Sequence, residues 1–155
     1  MLPSGMEGKL QLNTNQSLMV HGDWTNNATF TADTNSTVSL AGTNEVNISG
    51  SSNTFYNLSS TTSGKIINFE AGKTNTVNGN LTLNGVTLHS TEDGTWWYLN
   101  LNAGGSQSVR GVTVRDSNAG NGQTIIAGPY PFSKDEGHNV NWTFLRPAGT
   151  TFSVK

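Results

Sequence analysis

The 155-residue chain contains no cysteine, which excludes disulfide bonds, thiolate metal sites and thiol chemistry. Charged residues are also scarce, at 12% of the chain, and the formal net charge is only −2. This balance provides no electrostatic footprint for nucleic acid or for an anionic membrane surface. No apolar run approaches the roughly 18 residues that a membrane-spanning helix requires. We therefore expect no nucleic-acid partner and no membrane span.

Hydrophobic residues make up only 33% of the chain, whereas Asn (20), Thr (21), Ser (16) and Gly (18) together account for nearly half of it. These four residue types are poor helix formers, which excludes a helical bundle. The low net charge argues against ordinary disorder, which usually carries a high one. The composition therefore predicts an all-β fold with many turns and a thin core.

Alternation of apolar and polar residues with period 2 recurs along the chain, and helical periodicity does not. Each alternating run has one apolar face and one Thr, Asn or Ser face, which is typical of a half-buried strand. The runs cover residues 17–20, 28–31, 37–40, 45–48, 54–58, 65–69, 80–83, 85–88, 97–101, 111–114, 124–126 and 141–145.

Apolar positions recur about every 20 residues in two sets, namely Val20, Leu40 and Leu58, and Phe30, Ile48 and Ile67. A period near 20, with three short strands in each period, predicts a β-solenoid of roughly six or seven coils. A two-sheet β-sandwich produces strands of similar length and is the structural alternative.

Several segments repeat a common theme: VHGDWTNNATFTA at 20–32, TVSLAG at 37–42, VNISG at 46–50, FYNL at 55–58, VNGNLTLNG at 77–85, SVRGVTVRDSNA at 108–119 and GHNVNWTF at 137–144. They resemble the β-helix repeat regions of large bacterial surface and secreted, adhesin-like proteins. The resemblance covers residues 18–145 and implies a single right-handed parallel β-helix. We accordingly divide the chain into an N-terminal edge or cap (1–17), the repeat domain (18–145) and a C-terminal strand or tail (146–155).

The same resemblance implies a non-enzymatic function, because such repeats occur in stalks, adhesins and carrier regions. We expect a structural, adhesin-like module that is a rigid spacer and presentation surface, secreted or at the bacterial cell surface as part of a larger chain. Trp24 and Trp142 fall on repeat positions and are expected in the core. Residues 150–155 suggest one more strand, which either caps the helix or pairs with another copy of the chain, and we expect the chain to associate end to end or through that strand.

The segment TWWYLNL at 95–101 departs from the repeat pattern, which has one Trp there. Alternation predicts that Trp97, Leu99 and Leu101 point inward and that Trp96 and Tyr98 point outward. Two exposed rings on one face suit a platform on which sugars stack. The alternative function is therefore a carbohydrate-binding module for a polysaccharide or a cell-surface glycan, unless a loop or a neighbouring chain covers the two rings.

Many right-handed β-helices cleave polysaccharides, which requires paired carboxylates or a cluster of carboxylate, metal and arginine. A second alternative is thus a polysaccharide lyase or hydrolase, with candidate residues Arg110, Arg115, Asp116, Asp135, Glu136 and His138. Adjacent residues of a strand point to opposite faces, so Arg115 and Asp116 act together only at a corner. Turn-capping acids and solvated arginines are the favoured interpretation.

The three histidines, His21, His89 and His138, do not have a metal-ligand spacing. Residues 116–118 and 135–137 carry oxygen ligands of the kind that calcium prefers, but the same residues also form Asx-turns. We therefore predict no metal site, no cofactor and no catalytic residues.

Overall fold

The computed structural model describes residues 8–149, and these form short strands connected by turns, with no helix. From β5 to β18 every third strand joins the same sheet, so the chain winds around three faces, which we call sheets 1, 2 and 3. Sheet 1 comprises β2 (Ser17–Val20), β5 (Thr37–Leu40), β8 (Asn57–Ser60), β11 (Asn80–Asn84), β14 (Ser106–Arg110), β17 (Ile125–Gly128) and β19 (Trp142–Phe144). Sheet 2 comprises β3 (Trp24–Asn26), β6 (Val46–Gly50), β9 (Ile66–Phe69), β12 (Thr87–Ser90), β15 (Thr113–Val114) and β18 (Lys134–Asp135). Sheet 3 comprises β7 (Asn53–Phe55), β10 (Thr74–Val77), β13 (Trp97–Leu101) and β16 (Ser117–Asn118).

Two further strands, β1 (Lys9–Leu12) and β4 (Thr29–Ala32), form a parallel pair at the N-terminal end, where β4 packs next to β7. All strand pairs in residues 8–149 are parallel, as in the step from Ser17 to Thr37 in sheet 1. The molecule is therefore a parallel β-solenoid of about six turns. This confirms the predicted fold and excludes the sandwich, whose neighbouring strands would run antiparallel.

The number of residues in each turn of the solenoid varies. In sheet 1 the step is 20 residues from Ser17 to Thr37, but it is 26 from Leu81 to Gln107 and 17 from Ile125 to Trp142. The strands keep their register because only the corners between them change in length. A turn of the solenoid can therefore accept an insertion without loss of the ladder.

Part of the predicted alignment of turns is wrong. Val20 does pair with Leu40, but Leu58 pairs with Val38 rather than with Leu40. Phe30 and Ile48 belong to different sheets, since Phe30 pairs with Leu10 in the β1–β4 pair. A fixed period of 20 residues no longer matches the strand register wherever a corner is longer or shorter. An apolar residue 20 positions further along then looks equivalent, although it lies at a different position in its turn.

The core is a set of apolar columns inside the solenoid. Within β13 the residues Trp97, Leu99 and Leu101 are fully buried, as the alternation predicts. The Trp97 ring stacks on Phe69 with a centroid distance of 4.0 Å and an interplanar angle of 7°. Trp24 is also buried, which confirms its predicted place in the core. Trp142 is half-buried and packs against the last turn of the core.

Polar side chains inside the solenoid are arranged in ladders of their own. Asn53 Oδ1 accepts hydrogen bonds from Trp24 Nε1 (2.9 Å) and Asn26 Nδ2 (3.1 Å), and Asn53 Nδ2 donates to Asn75 Oδ1 (3.0 Å). Because a buried amide without partners is costly, this stack fixes the register of three successive turns. The abundance of Asn is in part an internal feature of the fold.

The predicted strand at residues 150–155 and most of the predicted N-terminal cap, residues 1–7, lie outside the described residues. Residues 146–149 contain no strand. In the described range 8–149, no helix is long and apolar enough to cross a membrane.

Candidate functional site

The corner between sheets 2 and 3 widens at one turn. β6 ends at Gly50 and β7 begins at Asn53, whereas β12 ends at Ser90 and β13 begins only at Trp97. The six-residue loop 91–96 therefore projects from the solenoid at this turn. It carries Trp96, one of the two residues of the predicted glycan platform.

Tyr98 lies on the outer face of β13, as predicted, and is half-buried. Its neighbours in the adjacent strands of sheet 3 are Thr74 and Asn118. Trp96 lies just before the strand and is also half-buried. Both rings are thus outside the core, and neither is fully exposed.

One face of the Trp96 ring is occupied by His138. The two rings stack with a centroid distance of 4.8 Å and an interplanar angle of 15°, and Trp96 Nε1 donates to the carbonyl oxygen of His138 at 3.1 Å. His138 adopts φ +55° and belongs to a turn two steps further along the solenoid. Sequence reasoning did not identify this contact, because the two residues are 42 positions apart.

A buried carboxylate holds the imidazole of His138 in place. Asp116 is 2% exposed, and its Oδ1 lies 2.7 Å from His138 Nδ1. An ionised carboxylate can only accept a hydrogen bond, so the imidazole donates to it from Nδ1. Asp116 Oδ2 accepts a second bond from the Gly94 backbone N–H at 3.1 Å, which ties loop 91–96 to the same carboxylate.

Arg115 and Asp116 are side by side at a corner after β15 ends at Val114, and not within a strand. Asp116 adopts φ +57°, and Arg115 Nε lies 3.6 Å from Asp116 Oδ2. Arg115 Nη2 also contacts Asp93 Oδ1 of loop 91–96 at 2.5 Å. The corner position therefore brings together two side chains that a strand would hold on opposite faces.

A second ion-pair group lies beside this corner. Glu136 contacts His89 Nε2 at 3.1 Å and Lys134 Nζ at 2.8 Å. The hydrogen bond from Lys134 holds the pKa of the Glu136 carboxyl below its ordinary value of 4.5; partial burial opposes this effect, and His89 adds a smaller lowering. Arg115 and Lys134 are therefore each paired with a carboxylate.

These contacts join a shallow polar groove on the outer face of sheet 2. Asn47, Asn68 and His89 follow one another in register along that face, and Arg115 and Asp93 close the groove at one end. The cavity has a volume of about 280 Å³. Its amide, imidazole and guanidinium groups are suited to hydrogen bonds with a polar ligand.

The candidate catalytic residues separate into two sets. Arg115, Asp116 and His138 come together at this corner through the contacts given above, and Glu136 belongs to the ion-pair group beside it. Arg110 lies in β14 on sheet 1, and Asp135 accepts bonds from the Gly137 backbone and from Asn139 Nδ2, which is an Asx-turn. Across residues 8–149, no group of three or more His, Asp or Glu side chains is arranged to hold a metal ion.

Comparisons of this chain with protein-family models, with curated proteins and with solved structures find no match. The parallel solenoid is therefore established by its own ladders, and the adhesin-like family stays a prediction from the repeat segments.

Proposed function

We propose that this chain is a non-enzymatic β-solenoid module of an extracellular bacterial surface or secreted protein, where it is a rigid spacer and a presentation surface. The observation that carries the proposal is the ladder of sheet 1, in which seven parallel strands follow one another without a break from β2 to β19. Each turn contacts mainly its neighbours, so stiffness comes from continuous stacking and not from one central core.

The outer surface suits a presentation role. The outward residues of sheet 1 form a column along the solenoid, which consists of Met19, Ser39, Ser59, Thr82, Ser108, Ile126 and Thr143. Most of these side chains are small and polar, so the face is flat and well solvated. Such a face tolerates substitution without loss of the ladder beneath it.

The rigid-spacer role is tested by a distance measurement along this column. Because the chain has no cysteine, Met19→Cys and Thr143→Cys can be spin-labelled specifically. Six strand spacings of ~4.8 Å predict a separation of about 29 Å between the two backbone sites. Pulsed electron spin resonance should give one narrow distribution near that distance, broadened only by the label linkers.

The pair Ser39→Cys and Thr143→Cys is the control, and its distance should be shorter by about one strand spacing of ~4.8 Å. A broad distribution for both pairs would overturn the proposal of a rigid spacer. The non-enzymatic part is tested separately, by incubation with pectin and alginate with and without calcium. New reducing or unsaturated ends would overturn it.

A second candidate function is carbohydrate binding at Trp96 and Tyr98. The observation that favours it is that stacking on His138 fixes the Trp96 ring outside the core, so little conformational entropy is lost when a sugar binds. A polysaccharide pull-down with Trp96→Ala and Tyr98→Ala tests this function, with Thr143→Ala as the control. Binding that is absent, or unchanged in both variants, would remove it.

A further inference from the structure

Within residues 8–149, the most exposed aromatic side chains lie elsewhere, in the loop 129–133 between β17 and β18. Tyr130 is 81% exposed and Phe132 is 64% exposed, whereas the other aromatic rings of the described part of the chain are buried or half-buried. Their ring centroids are 6.5 Å apart at an interplanar angle of 59°. The two rings form an open, tilted pair at the surface.

Backbone contacts fix this loop against the preceding turn. The Gly111 N–H donates to the carbonyl oxygen of Pro131 at 3.0 Å, and the Lys134 N–H donates to that of Val112 at 2.7 Å. The buried Ser133 hydroxyl links the two segments, because it accepts from the Val112 N–H at 3.3 Å and donates to the Gly128 carbonyl at 3.3 Å. The exposed rings are thus presented by a backbone that is already ordered.

An arginine without an ion-pair partner lies next to the same loop. Arg110 points outward from the end of β14 and is exposed, and its neighbour in β17 is Gly128, which has no side chain to cover it. Among the described residues Arg110 makes no salt bridge, whereas Arg115 is paired with Asp93 and Lys134 with Glu136. The patch therefore combines two aromatic rings with one uncompensated positive charge.

We propose that Arg110, Tyr130 and Phe132 form a binding site for a carboxylate-bearing sugar unit of an acidic polysaccharide. The guanidinium group binds the sugar carboxylate through paired hydrogen bonds, and the rings contact the apolar face of the sugar. This inference goes beyond the spacer function, since it names a ligand class for the presented surface. It is also independent of the corner at Trp96.

The chemistry of the patch favours a uronate polymer over the two nearest alternatives. A neutral glycan has no carboxylate with which the Arg110 guanidinium could form an ion pair. An anionic membrane surface requires more apolar area or several basic residues together, and here Lys134 is already neutralised by Glu136.

Titration calorimetry of the full chain with polygalacturonate and with alginate tests the proposal, with dextran as the neutral polymer. We expect binding of the acidic polymers and not of dextran. Tyr130→Ala and Phe132→Ala should each weaken binding about tenfold, the usual scale of one lost stacking contact. Arg110→Gln should remove most of the preference for acidic over neutral polymer.

Two variants are matched controls: Met19→Ala removes an exposed apolar side chain at the other end of sheet 1, and Lys134→Gln removes a paired positive charge. Both should change the affinity less than twofold. Unchanged binding in Tyr130→Ala and Arg110→Gln, equal binding of dextran, no binding of either acidic polymer, or binding to phosphatidylserine vesicles instead would each overturn the site. If calorimetry detected no binding of any polymer while the distance distribution between labels at residues 19 and 143 was narrow, this site would be refuted and the spacer function would stand.

Discussion

The first turns of the solenoid are regular, and the later turns are not. From β2 through β5 to β8, each step in sheet 1 is 20 residues, whereas beyond β11 the steps range from 26 down to 17. The residues of the two proposed sugar sites belong to the irregular part: Trp96 and Tyr98 on loop 91–96 and the adjoining β13, and Arg110, Tyr130 and Phe132 on β14 and loop 129–133. The difference teaches that the strands maintain the ladder while the corners are free to carry function.

The largest predicted effect concerns the turn that carries loop 91–96. Trp97→Ala should lower the free energy of unfolding by about 4 kcal/mol, because it removes a fully buried ring that stacks on Phe69. Trp96→Ala, one residue earlier, should cost about 1 kcal/mol, since it loses only a surface stack on His138 and one exposed hydrogen bond to the His138 carbonyl oxygen. Urea denaturation of both variants measures the contrast. Equal costs would mean that loop and ladder are not separable at this turn.

The contrast between these neighbours shows what the sequence could predict. Alternation with period 2 is a local property of the backbone, so it correctly assigned Trp97, Leu99 and Leu101 to the inside and Tyr98 to the outside. The pairing of Phe30 with Leu10 was not predictable in this way. It depends on corner lengths, which leave no periodic signal.

The candidate site was less accessible to sequence reasoning. Asp116, Trp96 and His138 meet only because turns stack on one another, and their contacts span 22 and 42 positions. Loop 129–133 carried a usable signal, since two of the four prolines of the chain lie there and interrupt the alternation. Prolines and aromatic residues at one corner indicate a projecting loop. That Arg110 lies beside this loop is known only from the register of β14 and β17.

A second prediction concerns a corner between the regular turns. Lys65 is fully buried, and its Nζ donates to the carbonyl oxygens of Ala41 (2.9 Å), Gly42 (3.2 Å) and Asn44 (3.0 Å). Lys65→Met should lower the free energy of unfolding by about 3 kcal/mol, because three carbonyl groups lose their donor. Burial lowers the pKa of this ammonium below its ordinary 10.5, and the bonds to the carbonyls balance part of that cost.

Lys73→Met is the control for this prediction, because Lys73 is partly exposed and lies 3.9 Å from Glu70. Its effect on stability should stay within about 0.5 kcal/mol in the same urea titration. If the two lysine variants were equally stable, Lys65 would not be the group that holds the 41–44 corner.

A third prediction separates the cost of a loop contact from the cost of backbone conformation. Gly111 has φ +60°, and a Cβ there would lie 2.7 Å from Pro131 Cγ, whereas Gly94 has φ +76° with open space around it. Gly94→Ala should cost about 1 kcal/mol for the left-handed backbone alone. Gly111→Ala should cost about 2 kcal/mol, because loop 129–133 must also shift. Thermal denaturation gives both values, and equal costs would show that the loop adapts freely.

The smallest predicted effect is a pH dependence at the irregular end. The folded-state pKa of Glu136 is lowered, so its contribution to stability is complete above the ordinary value of 4.5 and is lost as the pH falls through the lower folded value. Glu136→Gln should therefore be less stable than the parent chain at pH 6, and the two should converge as the pH approaches 3. Glu92→Gln, on the exposed loop 91–96, controls for the loss of one negative charge. A difference between Glu136→Gln and the parent that stayed constant from pH 6 to pH 3 would show that packing, and not the charge on Glu136, joins β18 to His89.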